Sequence, residues 1–129
     1  MRSRGLDAER RAERYLVRRG WRVIVRNWRG GGGELDIVAT RRGVVAVVEV
    51  KARADADALT EPISYWQRHR LLMAANTFVA RRPHLDGYEV RIDLIAVHLG
   101  APPGRAIRHD RGILVSDDYE RSSNSVRFV

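Results

Sequence analysis

Three side chains in this 129-residue chain have the types and spacing to act on a substrate together: Asp36, then Glu49 and Lys51 one residue apart. They lie on two β-forming runs, Glu34-Leu-Asp-Ile-Val-Ala-Thr40 and Val44-Val-Ala-Val-Val-Glu-Val-Lys51, which Arg41-Arg-Gly43 joins as a hairpin turn. Side chains alternate faces along a strand, so Glu34 shares a face with Asp36, and Glu49 with Lys51. If Thr40 pairs with Val45, Asp36 falls opposite Glu49 and Glu34 opposite Lys51, and all four point to one side. A one-residue slip would part them. Opposed carboxylates about 4.5 to 5.5 Å apart at Cβ repel one another, and a hard divalent cation relieves that repulsion. Mg²⁺ suits such a pair, since it is commonly held by one or two carboxylates together with substrate phosphate oxygens.

The competing explanation for Asp36, Glu49 and Lys51 is a solvated salt-bridge cluster. Against it, Glu49 and Lys51 continue a strand that is apolar on both faces, and Asp36 sits between Leu35 and Ile37. Lysine itself is informative here. Of the 24 basic side chains, 23 are arginine and Lys51 is the remaining one. A position that keeps a compact ammonium where arginine serves elsewhere is a candidate for chemistry, although one residue can also escape replacement by chance. Glu9 and Gln67 are two further polar residues on otherwise apolar helix faces, where they either join the site or hydrogen-bond the core. His69, His84, His98 and His109 lack metal-ligand spacing and read as ordinary. The run Gly30-Gly-Gly-Gly33 fits neither a P-loop nor a dinucleotide fingerprint, and reads as a flexible approach to the hairpin.

The elements that must hold these residues follow from periodicity. Leu6 to Arg19 reads as a helix with Ala8, Ala12, Tyr15 and Leu16 inward, and Gly20 ends it. Trp21, Val23 and Val25 alternate as a strand before the hairpin. Residues 52 to 60 read as loop, and Glu61 to Arg82 as a second helix with Pro62 in its first turn and Ile63, Gln67, Leu71, Ala74 and Phe78 on one stripe. Tyr88 to Leu99 is a fourth strand. The order αβββαβ predicts an α/β domain over residues 1–104, a mixed central sheet flanked by helices. Residues 105–129 read as a partly flexible extension, with a short edge strand at Ile113 to Val115.

Composition narrows the class of partner. The formal charge is +8, and residues 1 to 30 carry ten arginines against Asp7, Glu9 and Glu13. A concentrated basic face suits a polyanion, most simply nucleic acid, and charge alone leaves a solvated, arginine-rich surface as the other reading. No cysteine is present, which removes thiol catalysis and cysteine-ligated metals. The longest apolar run, Val44 to Val48, is too short to span a bilayer, and Met1-Arg-Ser-Arg leads into charged sequence without an apolar leader. A soluble, cytoplasmic protein is expected.

Asp36, a twelve-residue gap and Glu49-Val50-Lys51 resemble the PD-(D/E)XK signature of restriction-endonuclease-like nucleases. Together with Glu9-x-x-Ala12-x-x-Tyr15-Leu16, Gly20-Trp21, Asn27-Trp28, Gly33-Glu34-Leu-Asp36 and Val48-Glu-Val-Lys51-x-Arg53, the chain is similar to the bacterial YraN family, relatives in fold of archaeal Holliday-junction resolvases, over about residues 5 to 98. A lysine that often precedes the glutamine of the second helix is Trp66 here, and the proline of the signature is absent. The resemblance implies a restriction-endonuclease-like fold and a nuclease dependent on Mg²⁺ or Mn²⁺, acting on DNA, including branched or junction DNA. It implies Asp36 and Glu49 as metal ligands, with Glu9 and Glu34 as further ones, Lys51 and Gln67 at the water or phosphate, and a homodimer. Arg10, Arg14, Arg22, Arg26, Arg29 and Arg53 would hold the nucleic-acid backbone, with Trp21 and Trp28 nearby. Two readings of other classes stand beside it: a nucleic-acid-binding module of this fold without catalysis, and a structural role without nucleic acid.

Overall fold

The first helix, α1 (Ser3–Arg18), forms because Ala8, Ala12 and Leu16 recur every fourth residue and all three are buried. The chain leaves it at Gly20, whose φ of +86° suits a residue without Cβ, while the Trp21 amide donates to the Leu16 carbonyl. A computed structural model describes residues 3–54 and 64–115. The first strand, β1 (Arg22–Gly30), runs well past Val25, because its arginines face solvent on an edge where no apolar alternation is needed.

β1 pairs antiparallel with β2 (Gly33–Arg41). The glycine run is the hairpin turn itself: Gly30 pairs with Gly33, and Gly31 and Gly32 take φ of +61° and +83°. Two consecutive left-handed residues make the tight turn that matches strand twist. A Cβ on Gly31 would stand 2.4 Å from Thr77 Oγ1, so the run also permits close approach to the helix behind it. β2 pairs antiparallel with β3 (Val44–Arg53), and Thr40 does pair with Val45, the register that brings the carboxylates together.

The second helix, α2, is Tyr65–Ala80. The expected start at Glu61 with Pro62 and Ile63 lies outside the described residues, as do residues 55–60 of the expected loop. Ser64 is extended and its side chain accepts the Gln67 amide at 3.2 Å, so the helix begins at Tyr65. Leu71, Ala74 and Phe78 are buried as the stripe requires. After a short 3-10 turn at Pro83–Leu85, β4 (Glu89–His98) runs parallel to β3.

β5 (Ile107–Val115) then pairs antiparallel with β4. It begins six residues before the expected edge strand at Ile113, so nine of the residues read as an extension beyond Gly104 belong to the sheet, and residues 116–129 lie outside the described ones. Arg108, Asp110 and Arg111 hide the pattern: an edge strand pairs on one side and tolerates charge.

The described residues thus build an α/β fold, with order αβββαββ and one mixed five-stranded sheet in the order β1-β2-β3-β4-β5. Each face has its own core. Val45 and Val47 meet Leu71, Leu72 and Phe78 of α2, whereas Ala46 and Val48 meet Ala8, Ala12 and Leu16 of α1.

Candidate active site

The site sits where regular pairing between β2 and β3 stops. The ladder reaches Ile37 and Val48, and the next residues outward are Asp36 and Glu49. A regular strand would put Leu35 and Ile37 on one face. Instead Leu35 packs with the α2 core and Ile37 with the α1 core, so the strand changes face at Asp36. On β1 the neighbouring residue is Asn27, between the pairs Arg26 with Ile37 and Trp28 with Leu35, and its φ is +50°, a conformation asparagine tolerates better than most. This local break places Asp36 in two clefts at once. One, of about 260 Å³, lies toward α2 with Glu34, Glu49, Gln67 and Arg70. The other, of about 450 Å³, lies toward α1 with Glu9, Arg10, Arg14 and Asn27.

Hydrogen bonds hold the carboxylates in place. Asp36 Oδ2 accepts the Val50 backbone N–H at 2.8 Å, which keeps its carboxyl in the cleft that Glu49 also lines. Gln67 Nε2 donates to Glu49 Oε1 at 3.4 Å, and Lys51 Nζ lies 3.5 Å from the same oxygen. Burial, with the Asp36 charge behind it, pushes the Glu49 carboxyl up to about 7. Burial also raises Asp36, against the opposing effect of the Val50 amide and of Lys51. Glu9, half-buried on α1, is raised by burial and then by Asp36, while a hydrogen bond from Asn27 works the other way.

Asp36, Glu49, Lys51 and Gln67 are therefore brought together, and Glu9 borders Asp36 from the α1 side. Glu34 stands at the lip of the α2 cleft, largely exposed, with Arg29 Nε 3.6 Å from its carboxylate. Among the described residues, no three acidic or histidine side chains are drawn into a closed cage. The donor set nonetheless fits Mg²⁺ or Mn²⁺, because two hard, half-buried carboxylates lining one cleft are oxygen donors of the kind such cations take, leaving other positions for water and phosphate.

The arginines expected to bind nucleic acid do not form one face. Arg10 and Arg14 line the α1 cleft, and Arg22 is exposed on β1. Arg26 lines the cleft too but makes a two-pronged ion pair with Glu13, while Arg29 pairs with Glu34. Arg53 is half-buried and donates to the Ala52 carbonyl. Trp21 and Trp28 are packing residues: Trp21 is buried under Arg41 and Arg91, and Trp28 meets Phe78 edge-on. Sequence reasoning gave no role to Asn27, although it belongs to the Asn27-Trp28 motif and is an asparagine inside an arginine-rich strand. It also passed over Asp93, which is fully buried, accepts from Arg91 and the Gly112 amide, and lies 2.7 Å from His109 Nε2.

Fold and site together define an α/β protein whose mixed sheet opens, at one strand pair, into a carboxylate–lysine cleft. Residues 8–97 match the uncharacterised protein family UPF0102. A UPF0102 protein of Nitrobacter winogradskyi is 39% identical over 105 residues, covering 81% of this chain and 86% of that protein. One from Rhodopseudomonas palustris strain BisA53 is 40% identical over 93 residues, 72% of each chain. The chain belongs to the UPF0102 family, the YraN-like group that its motifs resemble.

Proposed function

We propose that this protein is a nuclease of the PD-(D/E)XK type that hydrolyses phosphodiester bonds in DNA with the help of Mg²⁺ or Mn²⁺. The observation that carries the reading is that Asp36 and Glu49 line one solvent-open cleft, with Lys51 Nζ 3.5 Å from the Glu49 carboxylate. The cation, when bound between Asp36 and Glu49, supplies Lewis acidity and charge neutralisation at the scissile phosphate. The Lys51 ammonium donates a hydrogen bond to a non-bridging phosphate oxygen, where charge grows in the transition state, or orients the attacking water. Gln67, which already meets Glu49, positions that water. Glu9 completes the acidic surroundings from the α1 side, and Asn27 holds its carboxylate. Arg10 and Arg14 take the backbone leading to Asp36. Branched or junction DNA is the substrate class proposed, cut by a homodimer in the cytoplasm.

The test is incubation of the purified protein with branched, duplex and single-stranded DNA and with RNA, each in Mg²⁺, Mn²⁺ or EDTA. Cleavage that EDTA, Asp36→Asn and Glu49→Gln all abolish is expected. Tight binding to the same substrates with no cleavage under any condition would overturn it in favour of a binding module.

A further inference from the structure

The charge on α1 is sorted between its two flanks. With Ala8, Ala12 and Leu16 against the sheet, successive residues turn by about 100°, so Glu9 and Glu13 fall on one flank and Arg11, Tyr15 and Arg18 on the other. The structure follows this division. Glu9 and Glu13 line the cleft that contains Asp36, whereas Arg11, Arg14, Arg18 and Arg19 line a separate groove of about 540 Å³ that reaches Ile107 of β5. Among the described residues, no carboxylate lines that groove. Arginines three, four and seven apart on one helix repel each other; Glu9 and Glu13 are on the opposite flank, and the one α1 carboxylate on the arginine side, Asp7, stands a full turn before Arg11.

The groove is also firmly built. Tyr15 OH lies 2.9 Å from His109 Nδ1, and His109 Nε2 lies 2.7 Å from the fully buried Asp93, so the helix is tied to β4 and β5 through this chain of polar groups. Arg19 lies over the Tyr15 ring, 4.0 Å from its centre, and Arg11 Nη1 donates to the Leu99 carbonyl at 3.3 Å. Two guanidinium groups are thereby held in place before anything binds. Arg14 lines both this groove and the cleft of Asp36, so one runs into the other across the solvent face of α1.

We infer that the groove between α1 and β5 holds a second stretch of the phosphodiester backbone whose scissile bond lies at Asp36 and Glu49. Arg11 to Arg18 spans about 10 Å of helix axis, roughly three intervals of 3.4 Å along one strand of a duplex and so about four successive phosphates. A single free phosphate would leave most of these guanidinium groups unmatched. The inference rests on the nucleic-acid reading above and extends it: the substrate is long enough to cross α1, and a fragment of three or four nucleotides cannot fill both clefts.

Fluorescence anisotropy in EDTA tests it, with labelled single-stranded DNA of 4 and 24 nucleotides titrated at several salt concentrations. For the long strand, Arg11→Gln/Arg18→Gln should weaken binding roughly tenfold and flatten the slope of log K against log salt by about 1.4, near 0.7 for each arginine removed. The short strand, which cannot reach both clefts, should bind the parent far more weakly than the long one. Arg18→Gln alone, at an exposed position, should flatten the slope by about 0.7, and Arg18→Lys should restore it. An unchanged slope and affinity in the variants would overturn the groove, whether or not the protein cleaves DNA. So would complete displacement of the long strand by inorganic phosphate at equal phosphate concentration. Conversely, the expected slopes in a protein that cuts nothing would leave the groove standing and remove the nuclease reading.

Discussion

Asp36 Oδ2 accepts the backbone N–H of Val50 at 2.8 Å, across the point where regular pairing between their strands has ended. The carboxylate stands in for a ladder carbonyl, so it is tied to the strand that carries Glu49 and Lys51 even though its own backbone has turned aside. This one bond sets the spacing of the acidic pair and keeps Asp36 open to both clefts.

Lys51→Arg should retain the fold and most DNA affinity but lose about a hundredfold or more of cleavage, since the larger, planar guanidinium cannot take the place of an ammonium that meets both water and phosphate. Single-turnover cleavage beside a binding titration checks this. Cleavage within a few-fold of the parent would reduce Lys51 to a source of charge.

Glu49 makes the metal-free protein sensitive to pH. Its carboxyl is raised from an ordinary 4.5 to about 7, foremost by burial. A carboxyl raised by folding favours the folded state while protonated, so its contribution is complete below the unfolded value and is lost as pH rises through the folded one. In EDTA, Glu49→Gln should therefore gain roughly 2 kcal/mol on the parent at pH 8 and almost nothing near pH 4.5. Urea unfolding at both pH values measures the difference, and a gain of equal size at each would mean that another group is responsible.

Asp93 should behave in the opposite sense. Burial alone would raise its carboxyl, but the His109, Gly112 and Arg91 hydrogen bonds together hold it below the ordinary range. Its stabilisation is present above the unfolded carboxylate value and is lost as pH falls through the lowered one. Asp93→Asn should cost roughly 3 kcal/mol at pH 7, because Arg91 is left without its counter-charge, and the gap to the parent should narrow in strong acid. Denaturant unfolding across that range is the measurement, with a cost independent of pH as the contrary result.

The two turn glycines separate strain from contact. Gly31 and Gly32 both have positive φ, but only at Gly31 does an added Cβ meet neighbours, Thr77 Oγ1 at 2.4 Å and the Met73 carbonyl at 3.0 Å. Gly32→Ala should cost about 1 kcal/mol from backbone strain, and Gly31→Ala roughly 3 kcal/mol once the hairpin is pushed off α2. Thermal unfolding of both variants decides this, and equal losses would show that α2 gives way freely.

The β2–β3 hairpin, its register and the grouping of Asp36, Glu49 and Lys51 were legible from the chain alone. Period-two alternation and the Arg42-Gly43 turn are local, and each residue's face follows from its neighbours in sequence. The inward stripes of α1 and α2 were legible for the same reason. What depended on distant partners was not. β5 has too many charges to announce itself and becomes a strand only beside β4. Trp21 and Trp28 look like free aromatics until the sheet buries or packs them, and Arg26 and Arg29 look like free cations until Glu13 and Glu34 arrive beside them. Tyr15 and His109 are 94 residues apart, and nothing near either foretells their contact. The change of face at Asp36 was hidden too, because it needs Asn27 on β1 and Val50 on β3 to stabilise a backbone break that Leu35-Asp-Ile37 by themselves would not make. Periodicity is written along the chain, whereas burial, ion pairing and strand irregularity are set by which elements the completed sheet brings together.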